Sequence, residues 1–195
     1  MSRLIAALGN PGSEYDGTRH NIGWDILNYL SFENNIRWQD KYKGVFGPFD
    51  HEKGGRIYFL KPMTFMNLSG ESVQPAANFF KIPPEDILVL HDELDLPFGT
   101  IAFKSGGGLA GHNGLKSIAE KLGTKNFKRM RLGIGRPQKG NVTSWVLSKY
   151  DTEQREWFGN YMQEAAKALE LYCRSGFDRA SSKYSKKTLI EWKEN

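Results

Sequence analysis

The sequence predicts an α/β fold: a single domain on a twisted, mixed β-sheet with α-helices on both faces. Three observations predict it. Residues 87–90 (ILVL) form a continuous apolar run, the mark of a central strand covered on both sides. Short apolar runs at 3–8 and 56–60 each end in a turn or proline signal. Stretches of helical period alternate with these runs, as strand–helix repeats of this class require. At 195 residues, 39% hydrophobic and 25% charged, the chain can bury one substantial core without staples.

The first run closes on Gly9-Asn10-Pro11-Gly12, a turn that delivers Asn10 into a loop. Thr18-Arg19-His20-Asn21 then precedes Ile22, Ile26, Tyr29 and Leu30, which share one helical face. His20 is therefore expected at or just before a helix N-terminus, where the dipole favours a neutral ring able to act as a base. Residues 33–55 are mixed and glycine-dotted and read as two short edge strands. After the run at 56–60 comes MTFMNLSGESV, in which Thr64 and Asn67 are expected to cap a helix reaching Phe80. Pro75 inside that pattern demands a kink or a later start.

The strand at 87–90 leads into an acidic turn, HDELD, and then a glycine-rich loop ending in Gly111-His112-Asn113-Gly114. Leu115, Ile118, Ala119 and Leu122 carry the next helix, and Gly123 stops it. In 128–135, Met130, Leu132 and Ile134 alternate with Arg129, Arg131 and Gly133, so this strand presents two arginines together. Residues 142–150 read as a connector to the longest helix, capped near Asp151 or Thr152 and ended by Gly176. Its core stripe is Phe158, Tyr161, Met162, Ala165, Leu169 and Tyr172, with Cys173 beside it. The tail, 183–195, is basic, then mixed, and is expected to be a flexible, frayed end or a short amphipathic helix.

A net charge of +5, with Lys121, Lys125, Lys128, Arg129, Arg131 and Arg136 clustered after the glycine loop, points to a polyanionic partner. One cysteine excludes an internal disulfide or a cysteine metal cluster. No apolar run approaches the roughly 18–20 residues of a membrane span, and the start, MSRLIAALGNPG, lacks a signal-length apolar stretch. A cytoplasmic protein without a membrane segment is the expectation.

Gly106-x-Gly108-x-x-Gly111 matches the dinucleotide fingerprint formally, but the acidic ribose partner expected about 20 residues on is missing. Walker A fails too, because Leu115 stands where a glycine should precede Lys116. No cofactor is therefore expected. The histidines lack metal-ligand spacing, so no metal is expected either. There is no G-x-S-x-G elbow, and Cys173 lies on a core stripe. Activation of water by His20, with a carboxylate orienting the ring, is the chemistry that remains.

LGNPGSEYDGTRHNIGWDIL, KPMTFMNLSGESV, LHDELDLPFGTIAFKSGGGLAGHNGLKSI and FKRMRLGIGRP resemble, in order and spacing, the signature blocks of bacterial peptidyl-tRNA hydrolases. The resemblance implies a monomeric α/β enzyme that cleaves the ester between peptide and tRNA without a metal, with peptidyl-tRNA as its partner. By that resemblance His20 is the catalytic base and Asp92 its orienting carboxylate. Asn10, Asn67 and Asn113 are active-site amides whose division of roles stays open. Tyr15, Met66, Asn67, Gly111, His112 and Asn113 line the peptide and tRNA 3′-end groove. Lys104 and Arg131 clamp the tRNA 5′-phosphate. Leu109-Ala110 departs from the family, where the loop usually reads His-Gly. A non-catalytic RNA-binding relative is the alternative, against which the retention of His20, Asp92 and the three asparagines argues.

Overall fold

The computed structural model describes residues 2–192. In chain order its elements are β1 (Arg3–Ala7), α1 (Ile22–Asp25), β2 (Gln39–Lys41), β3 (Gly44–His51), β4 (Gly55–Pro62), α2 (Gly70–Phe79) and β5 (Ile87–Glu93). They continue with β6 (Thr100–Ser105), α3 (Asn113–Leu122), β7 (Lys128–Gly133), α4 (Val142–Val146), α5 (Thr152–Ser175), α6 (Phe177–Lys183) and β8 (Lys187–Thr188). One eight-stranded mixed sheet has the order β2-β3-β4-β1-β5-β7-β6-β8 among the described residues. β1 runs parallel to β4 and β5, and β5 to β7; the outer pairs are antiparallel.

Alternation along the central strands builds a core on each face. Ile5, Ala7, Leu88, Leu90, Met130 and Leu132 point to the face covered by α1 and α5. Leu4, Ala6, Ile87 and Val89 point to the face covered by α2 and α3. Each fully buried aliphatic side chain contributes about 1.5–3 kcal/mol, so this doubly covered strand pair anchors the molecule. After β1 the chain builds β4 on one side, then returns to lay β5 on the other. The carboxyl ends of β1 and β5 thus meet where the strand order reverses, the usual location of a crevice in open α/β sheets.

Several elements differ from the expectation. The helix after His20 is brief: α1 gives way to a 3-10 turn, Ile26–Tyr29, though Ile22, Ile26 and Leu30 are buried as the spacing predicts. Residues 33–55 hold two strands, but only β2 is an edge, because β3 pairs with β4 along all eight residues. Thr64 and Asn67 do not cap α2. The chain makes a 3-10 turn, Met66–Leu68, whose own backbone bonds occupy that corner, and α2 starts at Gly70 with Pro75 inside it. The segment read as a connector contains α4. α5 begins as expected, with Asp151 accepting from the Gln154 amide at 2.8 Å.

Past α6 and through residue 192 the tail forms a short strand, not an amphipathic helix. The free edge of β6 accepts β8, Ile190 is buried, and Trp192 packs edge-on against Phe98. Residues 193–195 of that expectation lie outside the described residues. No helix among the described residues is long and apolar enough to cross a membrane.

Candidate active site

Two histidines converge on one carboxylate oxygen. His20 Nδ1 and His112 Nε2 each lie 2.8 Å from Asp92 Oδ1. The elements that bring them together are the 3-10 turn Arg19–Asn21, the end of β5 and the residue before α3. Gly23 makes the first approach possible, since a Cβ there would stand 2.6 Å from the Leu90 carbonyl oxygen and 2.7 Å from that of Leu8. At Gly114 a Cβ would meet Met66 Sδ at 2.6 Å, so the first turn of α3 also needs glycine to close on the site.

The surrounding bonds fix both tautomers. His112 caps α3: its Nδ1 accepts from the amides of Gly114 and Leu115 at 3.1 and 3.4 Å. An accepting Nδ1 leaves the proton on Nε2, which therefore donates to Asp92. His20 donates to the same oxygen through Nδ1–H, leaving Nε2 as its basic nitrogen. Burial alone would push the Asp92 carboxyl up, but His20 and His112, by charge and hydrogen bond, hold it well below the usual carboxylate range. Asp92 is thus an anion with two ring N–H donors.

Asn10 is held from three directions. Its backbone N–H donates to Asn21 Oδ1 at 2.8 Å, and Asn21 Nδ2 donates back to the Asn10 carbonyl at 3.0 Å. Its Oδ1 accepts from the Met66 amide at 2.7 Å. With that oxygen engaged, the Asn10 side-chain NH2 is the group left to donate into the cavity. Asn67 and Asn113 are exposed and line the same cavity, as do Tyr15, Met66, Gly111 and His112. The cavity measures about 460 Å³ and holds every residue expected for catalysis and peptide binding.

Sequence reasoning missed part of this site. Asn21 positions Asn10, and the only hint was a polar residue beside His20. The contact of His112 with Asp92 was not foreseen, nor was the part of the wall formed by exposed Phe65, by Val142 of α4 and by Leu147 just after it. Arg19 fixes that wall: its buried guanidinium donates to Ser148 Oγ, the Lys149 carbonyl and Gln154 Oε1, and lies 3.5 Å over the Trp145 ring. Cys173 is buried on α5, where burial pushes its thiol up to about 12, unsuited to a nucleophile.

Lys104 and Arg131 are not in this cavity. They line a second, open one of about 740 Å³ beside β6 and β7. The basic cluster seen in the sequence is less available than it looked. Arg129 is buried and donates to the Gly106 carbonyl at 2.6 Å. Arg131 Nε donates to Glu93 Oε2 at 2.7 Å, and Arg136 pairs with Asp95.

The ligand atoms of His20, Asp92 and His112 all lie within 4.8 Å of one another, as in a three-ligand metal site. In this arrangement, however, His20 Nδ1 and His112 Nε2 each donate to Asp92, whereas zinc-like coordination calls for deprotonated nitrogens about 2.0–2.1 Å from the ion.

Comparison with known proteins gives one answer. A family profile described as Peptidyl-tRNA hydrolase matches residues 4–191. A peptidyl-tRNA hydrolase of Geotalea daltonii is 43% identical over 96% of this chain and 98% of its own. One of Lactobacillus gasseri is 49% identical over 79% of this chain and 83% of its own. A crystal structure of a peptidyl-tRNA hydrolase complex with N-propanol superposes with a TM-score of 0.87 at 37% identity, covering 96% of both chains. The Acinetobacter baumannii enzyme gives 0.87 at 36% identity with the same coverage. By sequence over nearly its whole length, and by fold, the chain belongs to the peptidyl-tRNA hydrolase family.

Proposed function

We propose that this chain hydrolyses the ester joining a peptide, or an N-acylated amino acid, to tRNA, with His20 as general base and Asp92 as the carboxylate that orients it. The observation that carries the reading is the 2.8 Å bond from His20 Nδ1 to Asp92 Oδ1 within a cavity bordered by three asparagine amides. Nε2 takes a proton from water, and the resulting hydroxide attacks the ester carbonyl. The Asn10 NH2, fixed by its engaged oxygen, donates to the developing oxyanion, with Asn113 or Asn67 as a second donor. Collapse breaks the acyl–oxygen bond, and the imidazolium gives its proton to the departing ribose oxygen, which becomes the tRNA hydroxyl. The products are the peptide acid and free tRNA.

Tyr15, Phe65, Val142 and Leu147 offer the peptide apolar surface. Lys104 and Arg131 bind the tRNA 5′-phosphate in the second cavity. The ester is already activated, so no metal is assigned a step.

The test is release of N-acylated amino acid from N-acyl-aminoacyl-tRNA. His20→Ala should lower kcat by about 10²–10⁴-fold, and a chelator should leave the wild type unaffected. Equal rates for the two proteins would refute the mechanism, and loss of activity on chelation would refute its metal independence.

A further inference from the structure

We infer that Lys186, the turn residue before β8, is a third cation of the phosphate cavity and contacts the same tRNA phosphate as Lys104 and Arg131. The inference rests on the proposed reading of those two residues and extends it to a part of the chain that carried no recognisable motif.

Lys186 lines the open cavity together with Lys104, Arg131, Thr100, Thr188 and Asp95. The charges there do not balance. Arg131 is matched by Glu93 at 2.7 Å, and Asp95 by Arg136 at 2.7 Å. The ammonium groups of Lys104 and Lys186 have no hydrogen bond or ion pair among the described residues. Lys104 extends past the glycine loop, its Nζ 3.3 Å from where a Gly107 Cβ would lie. Two uncompensated ammonium groups and one arginine, with threonine hydroxyls beside them, suit a dianionic phosphate.

Lys186 is also held in place. Its φ of 46° is a left-handed conformation that side chains with a Cβ disfavour, so its neighbours must impose it. Those neighbours are the β8 pairs, Thr100 with Thr188 and Ile101 with Lys187, a 3.3 Å contact between the two threonine hydroxyls, and the Leu189 amide donating to the Gly99 carbonyl at 2.8 Å. Beyond them, buried Ile190 and Trp192 against Phe98 anchor the strand. The next residue shows the contrast: the Lys187 ammonium lies 5.5 Å from the Tyr184 ring centroid and does not line the cavity.

The experiment is direct binding of deacylated tRNA, with its 5′-phosphate and after its removal, read by fluorescence anisotropy across a salt series. Lys186→Gln should weaken binding about three- to tenfold and reduce the log–log salt slope by about one. Lys186→Arg should restore most of the loss, and Lys187→Gln should bind like the wild type. On dephosphorylated tRNA the gap between wild type and Lys186→Gln should close to within about twofold. Equal losses for Lys186→Gln and Lys187→Gln, or a gap that survives dephosphorylation, would overturn the assignment. Binding is read without hydrolysis, so a protein that binds this way but fails to cleave would refute only the catalytic reading. Weakened binding in Lys104→Ala with none in Lys186→Gln would refute Lys186 alone.

Discussion

The two supports of Asp92 make the same bond and differ in what they have left over. His20, on the turn before α1, gives one N–H to the carboxylate and keeps a basic nitrogen. His112, before α3, has both nitrogens engaged, one on Asp92 and one on two helix amides. Identical side chains at identical distances from one oxygen can therefore do different jobs: the first can exchange a proton with substrate, and the second can only hold. Each side also carries a local flaw. On α1, Asp25 has a buried oxygen without a partner. In the glycine loop, Ala110 adopts φ 50°.

The comparison predicts unequal losses. His112→Ala should lower kcat by about 10–100-fold, well short of His20→Ala. It should also destabilise the fold by about 1 kcal/mol through the lost cap. His112→Asn separates the two effects: asparagine is a good N-cap, so the melting temperature should return while kcat stays low. If His112→Asn recovers activity along with stability, the ring is only a cap and the contrast with His20 disappears.

A second effect concerns the His20 side. Burial, then the nearby Asp16, pushes the Asp25 carboxyl up to about 7. A carboxyl raised in the folded state favours folding fully below its unfolded value of about 3.9, and that contribution is lost as pH rises through about 7. Relative to Asp25→Asn, the wild type should therefore weaken between those limits, by about 4 kcal/mol at pH 8. Melting curves of the two proteins from pH 4 to 8 check this, and parallel curves would show that Asp25 is solvated. The smallest effect is expected at the loop. Ala110→Gly should stabilise by about 0.5–1 kcal/mol, strain relief exceeding the added freedom of the unfolded glycine. Denaturant midpoints measure it, and a lower midpoint would mean that the alanine methyl packs usefully.

The central strands were legible because burial on both faces leaves an unbroken apolar run in 87–90 and an alternation in 128–135. The long helix was legible from its stripe and from Asp151. What failed was set by distant partners. β3 could not be read as an interior strand, because its glycines and Pro48 gave no periodicity and its place depends on pairing with β4. The tail became a strand only because β6 offered an edge. In the site, resemblance supplied His20, Asp92, Lys104 and Arg131 by position, but the second bond to Asp92 and the grip of Asn21 on Asn10 arise from contacts 20 and 11 residues apart. Arg129 looked like surface charge and is interior structure, since alternation cannot tell a solvent-facing strand side from one roofed by a loop.

The cap on α3 ties two equilibria that are usually separate. The Gly114 and Leu115 amides are shielded by the same ring that helps align Asp92. Any fluctuation that unwinds this first turn also removes one of the two donors on the carboxylate, leaving His20 alone to hold it, and any ligand that immobilises the ring tightens the helix. The local stability of one helical turn is thus coupled to the alignment of a buried carboxylate 20 residues away in sequence.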